Sequence, residues 1–327
     1  MSTTSRPAVP PTAPTEVAGW VREVAGRHDP RVGPTTPVVP LLTYGLPTRP
    51  FAPATTDVFI CASVAVKIHP EGTNPEVLSH RLAAIAQPAV ERAWVQPLGY
   101  RPLPAPAGRV ATLWPRIGVL GTLDRPPWQE AGRLLARLHT GPVEDANPPP
   151  DGGLVLLQRT IEQLRAGRVD VGHPTEGDLS EHARGPHRPG PAELADTGER
   201  LASELARPVR TCWVHGDFHL GHLGHTLLRR QWRLVDVDHV GVGEPAWDLA
   251  RPAAWYAAGL LDQLSWHDFI TGYRTLGGPA LPAEGDPWPA LETAARASAL
   301  VAAVSLLGRV HAEATADALL AVAWGRR

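Results

Sequence analysis

The segments VHGDFHLGHLGH (214–225) and LVDVDHVGVGEPAWDLA (234–250) hold the densest set of reactive side chains in the chain. They are His215, Asp217, His219, His222, His225, Asp236, Asp238 and Asp248. Each segment begins with apolar residues that run into acids, and an apolar strand ending in Asp sets its carboxylate at a strand tip, facing a cleft. Two chemistries suit such a set. Carboxylates offer hard oxygen ligands to magnesium. The histidine series offers nitrogen ligands to a transition metal, as in a zinc hydrolase. On a helix His215, His219 and His222 would share a face, but Gly216, Gly221 and Gly224 break any helix there. A further feature lies far upstream. Lys67, in SVAVKIHPEG, is the one lysine among 31 lysines and arginines. Arginine's planar fork does not replace a compact ammonium on a flexible stem, so an ordinary surface role explains this residue poorly.

The elements that must position these residues change character along the chain. Residues 1–16 are rich in Pro, Ser and Thr and read as a disordered tail. Residues 16–28 have helical periodicity, with Val17, Trp20, Val21 and Val24 on one face. Extended segments follow at 37–45, 55–62 and 63–69, the last carrying Lys67. Residues 73–86 form a helix with its start written out: Asn74 or Thr73 as cap, Pro75 in the first turn, Glu76 three after Thr73. A strand at 110–120 comes next. From about residue 120 helices dominate, at 128–140, 154–167 and 192–206. The polar, Gly/Pro-rich stretch 168–191 reads as a loop insertion. Short extended pieces around 212 and 234 flank the histidine-rich loop, and the remainder is helical. A small strand-rich lobe thus precedes a larger helical lobe, with the boundary near Trp114–Gly121, and a cleft between lobes is where ligands bind.

Composition narrows the function classes. Hydrophobic residues make 43%, charged residues 20%, and the net charge is −2. These values describe a soluble globular protein with no basic block for nucleic acid or an anionic membrane. Cys61 and Cys212 match no metal spacing and sit in apolar runs, so they read as buried thiols. The amino-terminus lacks the apolar core of a signal peptide, and no apolar run reaches membrane-spanning length. The expectation is a cytoplasmic enzyme or binding protein.

HGDFHLGH resembles the HGDxHxxN signature of the aminoglycoside phosphotransferase and choline kinase superfamily, relatives of the protein kinases. LVDVDHVGVGEPAWDLA is similar to that family's second signature, LLARLH (134–139) to its Leu-x-x-Leu-His helix, and VAVK before a capped helix to its first lobe. The resemblance runs in order from about residue 37 to 257. It implies a two-lobed, protein-kinase-like α+β fold, with a nucleotide-binding lobe at 17–116 and a catalytic, substrate-binding lobe at 117–327. It also implies roles. Asp217 matches the catalytic aspartate that orients the acceptor hydroxyl and takes its proton. Asp236 matches the metal-binding aspartate, and Lys67 the lysine on the nucleotide phosphates, with Glu76 as its ion-pair partner. His215 and Asp248 match positions that brace the catalytic loop. Phosphoryl transfer needs the donor held in line, its charge neutralised and the acceptor oxygen positioned, which such a set supplies.

Two departures stand out. The family's metal-ligating asparagine aligns with His222, and imidazole is a poor magnesium ligand. FHLG is closer to the maltokinase-type sugar kinases, which resemble HGDxHLGQ. His222 then acts through water, or Asp236 and Asp238 share the ion, both pointing one way on a strand. No Gly-rich phosphate loop stands between the first strands, where YGLPTRPFAPATT (44–56) occurs instead. The bland readings are a capping box for Glu76, a helix N-cap for Asp248 and a surface charge for Asp238. The resemblance implies an ATP- or GTP- and magnesium-dependent kinase acting on a hydroxyl of a small molecule, an aminoglycoside-like antibiotic or a sugar. The alternatives are a catalytically impaired, kinase-like binding protein and a metal-dependent hydrolase built on the histidines. A cationic acceptor would call for a carboxylate-lined pocket, with Asp262, Asp268, Glu284 and Asp286 as candidates.

Overall fold

β-Branched and other apolar residues alternate or run continuously through the strands that build the amino-terminal sheet. In the computed structural model, which describes residues 15–41, 57–120, 125–143, 148–149, 152–169, 189–207, 210–307 and 312–325, the chain opens with α1 (Thr15–Gly26). The strands β1 (Val38–Pro40), β2 (Asp57–Cys61) and β3 (Val64–Ile68) follow, then α2 (Pro75–Ala84), β4 (Leu103–Pro104) and β5 (Val110–Pro115). The five strands form one antiparallel sheet in the order β1-β2-β3-β5-β4. β3 is buried along its whole length, as a central strand covered on both faces should be. α1 lays Val21 and Val24 against Phe59, Cys61 and Val66, and these form a small separate core. Residues 15 and 16, read above as tail, belong to α1; residues 1–14 lie outside the described residues. The loop at 44–56 and most of the insertion at 168–191 lie outside the described residues.

β6 (Gly118–Val119) leads into the larger lobe. α3 (Trp128–Thr140), α4 (Gly153–Arg165), α5 (Pro191–Leu205), α6 (Ala246–Ala257), α7 (Gln263–Thr275), α8 (Trp288–Leu306) and α9 (Glu313–Ala323) surround a single large core. Between α5 and α6 come the strands β7 (Cys212–Val214), β8 (Leu223–His225), β9 (Trp232–Leu234) and β10 (Gly241–Gly243). β7 pairs with β10, and β8 lies between β6 and β9, all antiparallel. The two short sheets carry the histidine- and aspartate-rich segments between them. Cys61 and Cys212 are buried, unbridged thiols. Among the described residues no helix is long and apolar enough to cross a membrane.

Packing crosses the expected boundary near residue 116. Leu78 and Leu82 of α2, with Ile85, Val90 and Trp94 after it, belong to the large core and not to that of the first sheet. Val95 N–H donates to Leu234 C=O at 3.0 Å, beside a parallel bridge between Trp94 and Leu234. α2 is therefore anchored to the lobe that carries the aspartates, while β3, which carries Lys67, belongs to the other.

Candidate active site

Asp248 organises the loop that carries His215, Gly216 and Asp217. It lies in the first turn of α6 and is fully buried. Its Oδ2 accepts from His215 N–H at 2.6 Å and from His139 Nε2 at 2.9 Å, and its Oδ1 accepts from Gly216 N–H at 2.8 Å. The Asp248 carboxylate can only accept, so the neutral His139 ring carries its proton on Nε2 and its Nδ1 accepts from Tyr273 Oη, 2.7 Å away, which itself accepts from Ala280 N–H at 3.1 Å. That fixes the Nε2–H tautomer of His139 and leaves it donating to Asp248. The N-cap expectation for Asp248 is corrected here: the cap position is Pro245, and the Asp248 side chain is turned to the neighbouring loop. Gly216 has φ +81°, and a Cβ there would lie 2.2 Å from His239 C=O. Both the left-handed backbone and the close approach require glycine between His215 and Asp217.

His215 Nε2 donates to Val235 C=O at 2.9 Å. Its ring is stacked between Trp94, at 5.2 Å, and His222, at 5.1 Å. His222 Nδ1 donates to the Asp217 backbone C=O at 2.8 Å, so its Nε2 keeps a lone pair, 3.5 Å from Asp236 Oδ2. Burial pushes the His222 pKa down to about 4, against the pull of Asp236, which leaves the ring neutral at pH 7. Two acceptor atoms thus face each other across a gap suited to a cation or a donating water.

Lys67 reaches this place from the opposite lobe. Its Nζ lies 2.8 Å from Asp236 Oδ1 and 2.8 Å from Asp238 Oδ2. Burial works to lower the lysine pKa, but the two carboxylates outweigh it and raise it, so the ammonium stays charged. Burial likewise works to raise both aspartates, and Lys67 outweighs it: Asp236 is held well below the usual carboxylate range and Asp238 at about 2. The carboxylates do not converge by strand alternation as expected. β9 ends at Leu234, and Asp236 has φ +72°, a left-handed conformation that Asp tolerates better than most side chains. The turn swings both acids onto one ammonium.

The expected Lys67–Glu76 pair is not formed. Asn74 is the N-cap of α2, its side chain accepts from Glu76 N–H at 2.8 Å, and the Glu76 side chain is exposed in the first turn. α2 is instead tied to the aspartate turn by Arg81, which donates to Val240 C=O at 3.0 Å and to the Asp238 C=O. His69, at the end of β3, sets its Nδ1 3.0 Å from Asp238 Oδ1. Its Nε2 meets Thr112 Oγ1 at 2.9 Å, and the same oxygen accepts from Trp114 Nε1 at 2.8 Å.

Asp217 lies next to this cluster. Its Oδ1 accepts from Arg251 Nη2, and Arg251 comes from α6, one turn after Asp248. Burial works to raise the Asp217 pKa, but Arg251 and the surrounding imidazoles lower it, so the side chain is a carboxylate at neutral pH. Asp217, His219 and His222 approach closely enough to hold an ion in common, with ligand atoms within 4.8 Å of one another. His219, however, accepts the Gly221 N–H on its Nδ1 at 2.9 Å and so carries its proton on Nε2. His225 is drawn away into β8, against Gly118 and Trp232. The predicted histidine series therefore does not assemble as one site: His219 presents a protonated nitrogen, and His225 lies apart.

Sequence reasoning missed Arg251, Arg81, His69 and Tyr273. None carries a local signal, because each acts on a residue distant in the chain. His139 was visible in LLARLH, but its link to Asp248 was not.

The model of a family described as the phosphotransferase enzyme family matches residues 63–288. Among solved structures the chain is similar to a choline/ethanolamine kinase family protein from Mesorhizobium loti, at 18% identity over 92% of this chain and 94% of that one, TM-score 0.55. It is similar to an ethanolamine kinase from Plasmodium vivax, at 10% identity over 93% and 87%, TM-score 0.56. It is also similar to a spectinomycin phosphotransferase solved with ADP and spectinomycin, at 14% identity over 86% and 87%, TM-score 0.51. These likenesses establish the two-lobed, kinase-like fold. No curated protein matches significantly.

Proposed function

Given that the chain belongs to the phosphotransferase enzyme family, we propose that it transfers the terminal phosphoryl group of ATP or GTP, with magnesium, to a hydroxyl of a small molecule, acting in the cytoplasm. The observation that carries this reading is the meeting of Lys67 with Asp236 and Asp238 at 2.8 Å each, from opposite lobes and beside Asp217. Such a cation and such carboxylates are what a polyphosphate and its metal need.

Lys67 would exchange its carboxylate partners for phosphate oxygens. Asp217, held as a carboxylate beside Arg251, would orient the acceptor hydroxyl and take its proton as the phosphoryl bond forms. His215, Gly216 and Asp248 keep the loop in register, so Asp217 is placed before any ligand arrives. Glu76 has no part in this arrangement.

The donor set suits magnesium at one position. Asp236 Oδ2 is the oxygen not engaged by Lys67, and Asp238 and Asp217 offer further oxygens nearby. His222 Nε2 would accept from a water in the ion's shell, since nitrogen is a poor direct ligand for magnesium. Bound there, the ion would neutralise charge on the transferred group.

Calorimetric titration with ATP and GTP in the presence of magnesium tests the reading. Binding of one nucleotide is expected, with Asp217→Asn abolishing product formation and leaving that binding in place. Absence of binding to either nucleotide overturns the reading. Binding with no turnover on a panel of sugars, amino alcohols and antibiotics would favour the impaired binding protein.

A further inference from the structure

Helix α6 holds three consecutive loop residues from one face. Asp248 and Arg251 are three apart, so they are neighbours on the helix surface. Asp248 accepts the backbone N–H groups of His215 and Gly216, and Arg251 donates to the side chain of the next residue, Asp217. The helix is itself firmly seated: Leu249, Ala250, Ala253 and Ala254 are fully buried, and α6 packs against α8. Asp217 is thus held twice, through the backbone before it and through its own carboxylate.

The second of these contacts is one-sided. A guanidinium that pairs with a carboxylate commonly takes both oxygens as a fork. This chain has such a pair elsewhere. Arg31 donates to Asp29 Oδ1 at 2.9 Å and to Oδ2 at 2.8 Å, and Ser63 Oγ donates to the same Oδ2 at 2.6 Å. Both oxygens of Asp29 are filled, as suits a purely structural acid. Arg251 engages Oδ1 of Asp217 alone, and among the described residues Oδ2 receives no donor. The Asp217 side chain is 20% exposed, and its partner Arg251 lines a cleft that opens between α3, α6 and the start of α7.

We propose that Arg251 is a positioning residue for phosphoryl transfer: by holding Oδ1 it fixes the rotation of the Asp217 carboxylate, so that Oδ2 is the oxygen that meets the acceptor hydroxyl. This rests on the phosphotransferase reading, which makes Asp217 the acceptor-facing base. In the transfer step the hydroxyl oxygen forms a bond to the terminal phosphorus. The bond from that phosphorus to the bridging oxygen breaks, and its electron pair leaves with the nucleoside diphosphate. The hydroxyl proton passes to Oδ2. Arg251 stays on Oδ1 throughout, so the base does not have to be oriented during the reaction.

The test compares wild type, Arg251→Met and Arg251→Lys as full chains, with nucleotide affinity measured for each by calorimetry. Turnover is followed as ADP or GDP release in the presence of magnesium, with sugars, amino alcohols, antibiotics and water as acceptors. Arg251→Met keeps the apolar stem and removes the donor; kcat is expected to fall about 100-fold with nucleotide affinity unchanged. Arg251→Gln takes its place should the Met variant not fold. Arg251→Lys, or guanidinium ion added to Arg251→Ala, returns a donor to Oδ1 and is expected to recover at least about tenfold of that loss. The proposal is overturned if the Met or Gln variant keeps kcat within about threefold of wild type. It is equally overturned if the loss appears in nucleotide affinity and not in kcat, which would mean a general loosening of α6, or if neither Lys nor added guanidinium recovers any turnover. A wild-type protein that turns over none of these acceptors, water included, would count against the phosphotransferase reading and remove the proposal with it, a result distinct from any loss confined to the Arg251 variants.

Discussion

Replacing Asp248 by Asn removes one charge from the most enclosed part of the loop scaffold while keeping the side chain's size. Three donors converge on the carboxylate: His215 N–H at 2.6 Å, Gly216 N–H at 2.8 Å and His139 Nε2 at 2.9 Å. The better amide rotamer keeps its oxygen where Oδ2 receives His215 and His139. Its NH2 group then faces the Gly216 N–H, donor against donor. A buried hydrogen bond to a charged acceptor is worth about 1.5–3 kcal/mol, and a buried donor left unsatisfied costs about 1–3 kcal/mol. The two figures partly describe the same loss, so about 3–4 kcal/mol is expected. Breaking a buried charged pair gives about 3–5 kcal/mol by an independent route. Against a total stability of about 5–15 kcal/mol this is a large share.

Urea unfolding followed by tryptophan emission reads the change directly, since the chain has 11 tryptophans. The midpoint should fall with the slope unchanged, because the surface exposed on unfolding is the same. Asp248→Ala leaves all three donors without their acceptor and should fall further. At a temperature where the Asn variant is folded, turnover should drop on the order of 100-fold, since a loop shift of about 1 Å has that effect. A stability loss under about 1 kcal/mol for Asp248→Asn would refute the reasoning, because the three bonds could not then be what fixes the loop.

Three further outcomes follow from the same geometry. Lys67→Arg keeps the charge but replaces a point donor with a wide planar one in a buried slot between two carboxylates; turnover should fall at least about 100-fold with the protein folded, and a steady-state assay showing wild-type rates would return Lys67 to an ordinary structural role. Gly216→Ala should destabilise by clearly more than Gly72→Ala in thermal melts, since both have positive φ but only Gly216 meets a backbone oxygen; equal losses would mean that the loop yields. Stability should decline in acid in two steps. His222 is neutral in the fold with a pKa of about 4 but charges near its ordinary value when unfolded, so its contribution is present at neutral pH and is lost as pH falls from about 6.5 to 4. Asp238, held at about 2, contributes above its unfolded value near 4, and this is lost as pH falls from about 4 toward 2. Unfolding midpoints across pH 2–8 check both, and a flat profile between pH 6.5 and 4 would contradict the tautomer and burial assigned to His222.

What could be read from the sequence follows the range of the interactions. α3 spans residues 128–140 as its leucine stripe indicates, because helical periodicity and caps are written within a few residues. Lys67 fell on β3 for the same reason. The capping pattern at 73–76 was legible as a helix start, though Asn74 and not Thr73 supplies the cap. The acid that meets Lys67 was not legible, because that choice is made by tertiary packing between segments more than 160 residues apart. Helix α2 packs into the core of the opposite lobe, and Glu76 sits on its exposed side. The left-handed turn at Asp236 was invisible as well: VDVD reads as continued strand, and only the need to bring both acids to one ammonium shows why it stops. Arg251 follows DLA without any pattern of its own.

The site contains two kinds of contact, and they differ in what a ligand can do to them. The Asp248–His139–Tyr273 chain is enclosed and each member's geometry is fixed by the next, so it can hold the loop but cannot respond to an incoming group. Lys67 with Asp236 and Asp238, and Arg251 with Asp217, are ion pairs whose carboxylates are 20–25% exposed. An anion that approaches Lys67 would offer it a charged partner in place of its carboxylates, whereas a hydroxyl that approaches Asp217 would add a neutral donor to a carboxylate still paired with Arg251. Exchange of partners avoids most of the cost of desolvating a lone charge. On the phosphotransferase reading the two pairs are coupled through His222, which donates to the Asp217 backbone and faces Asp236. Movement of Lys67 onto phosphate would uncover Asp236 beside the imidazole that positions Asp217. Nucleotide arrival and acceptor positioning would then be linked by a contact between two side chains, without any requirement for the lobes to move.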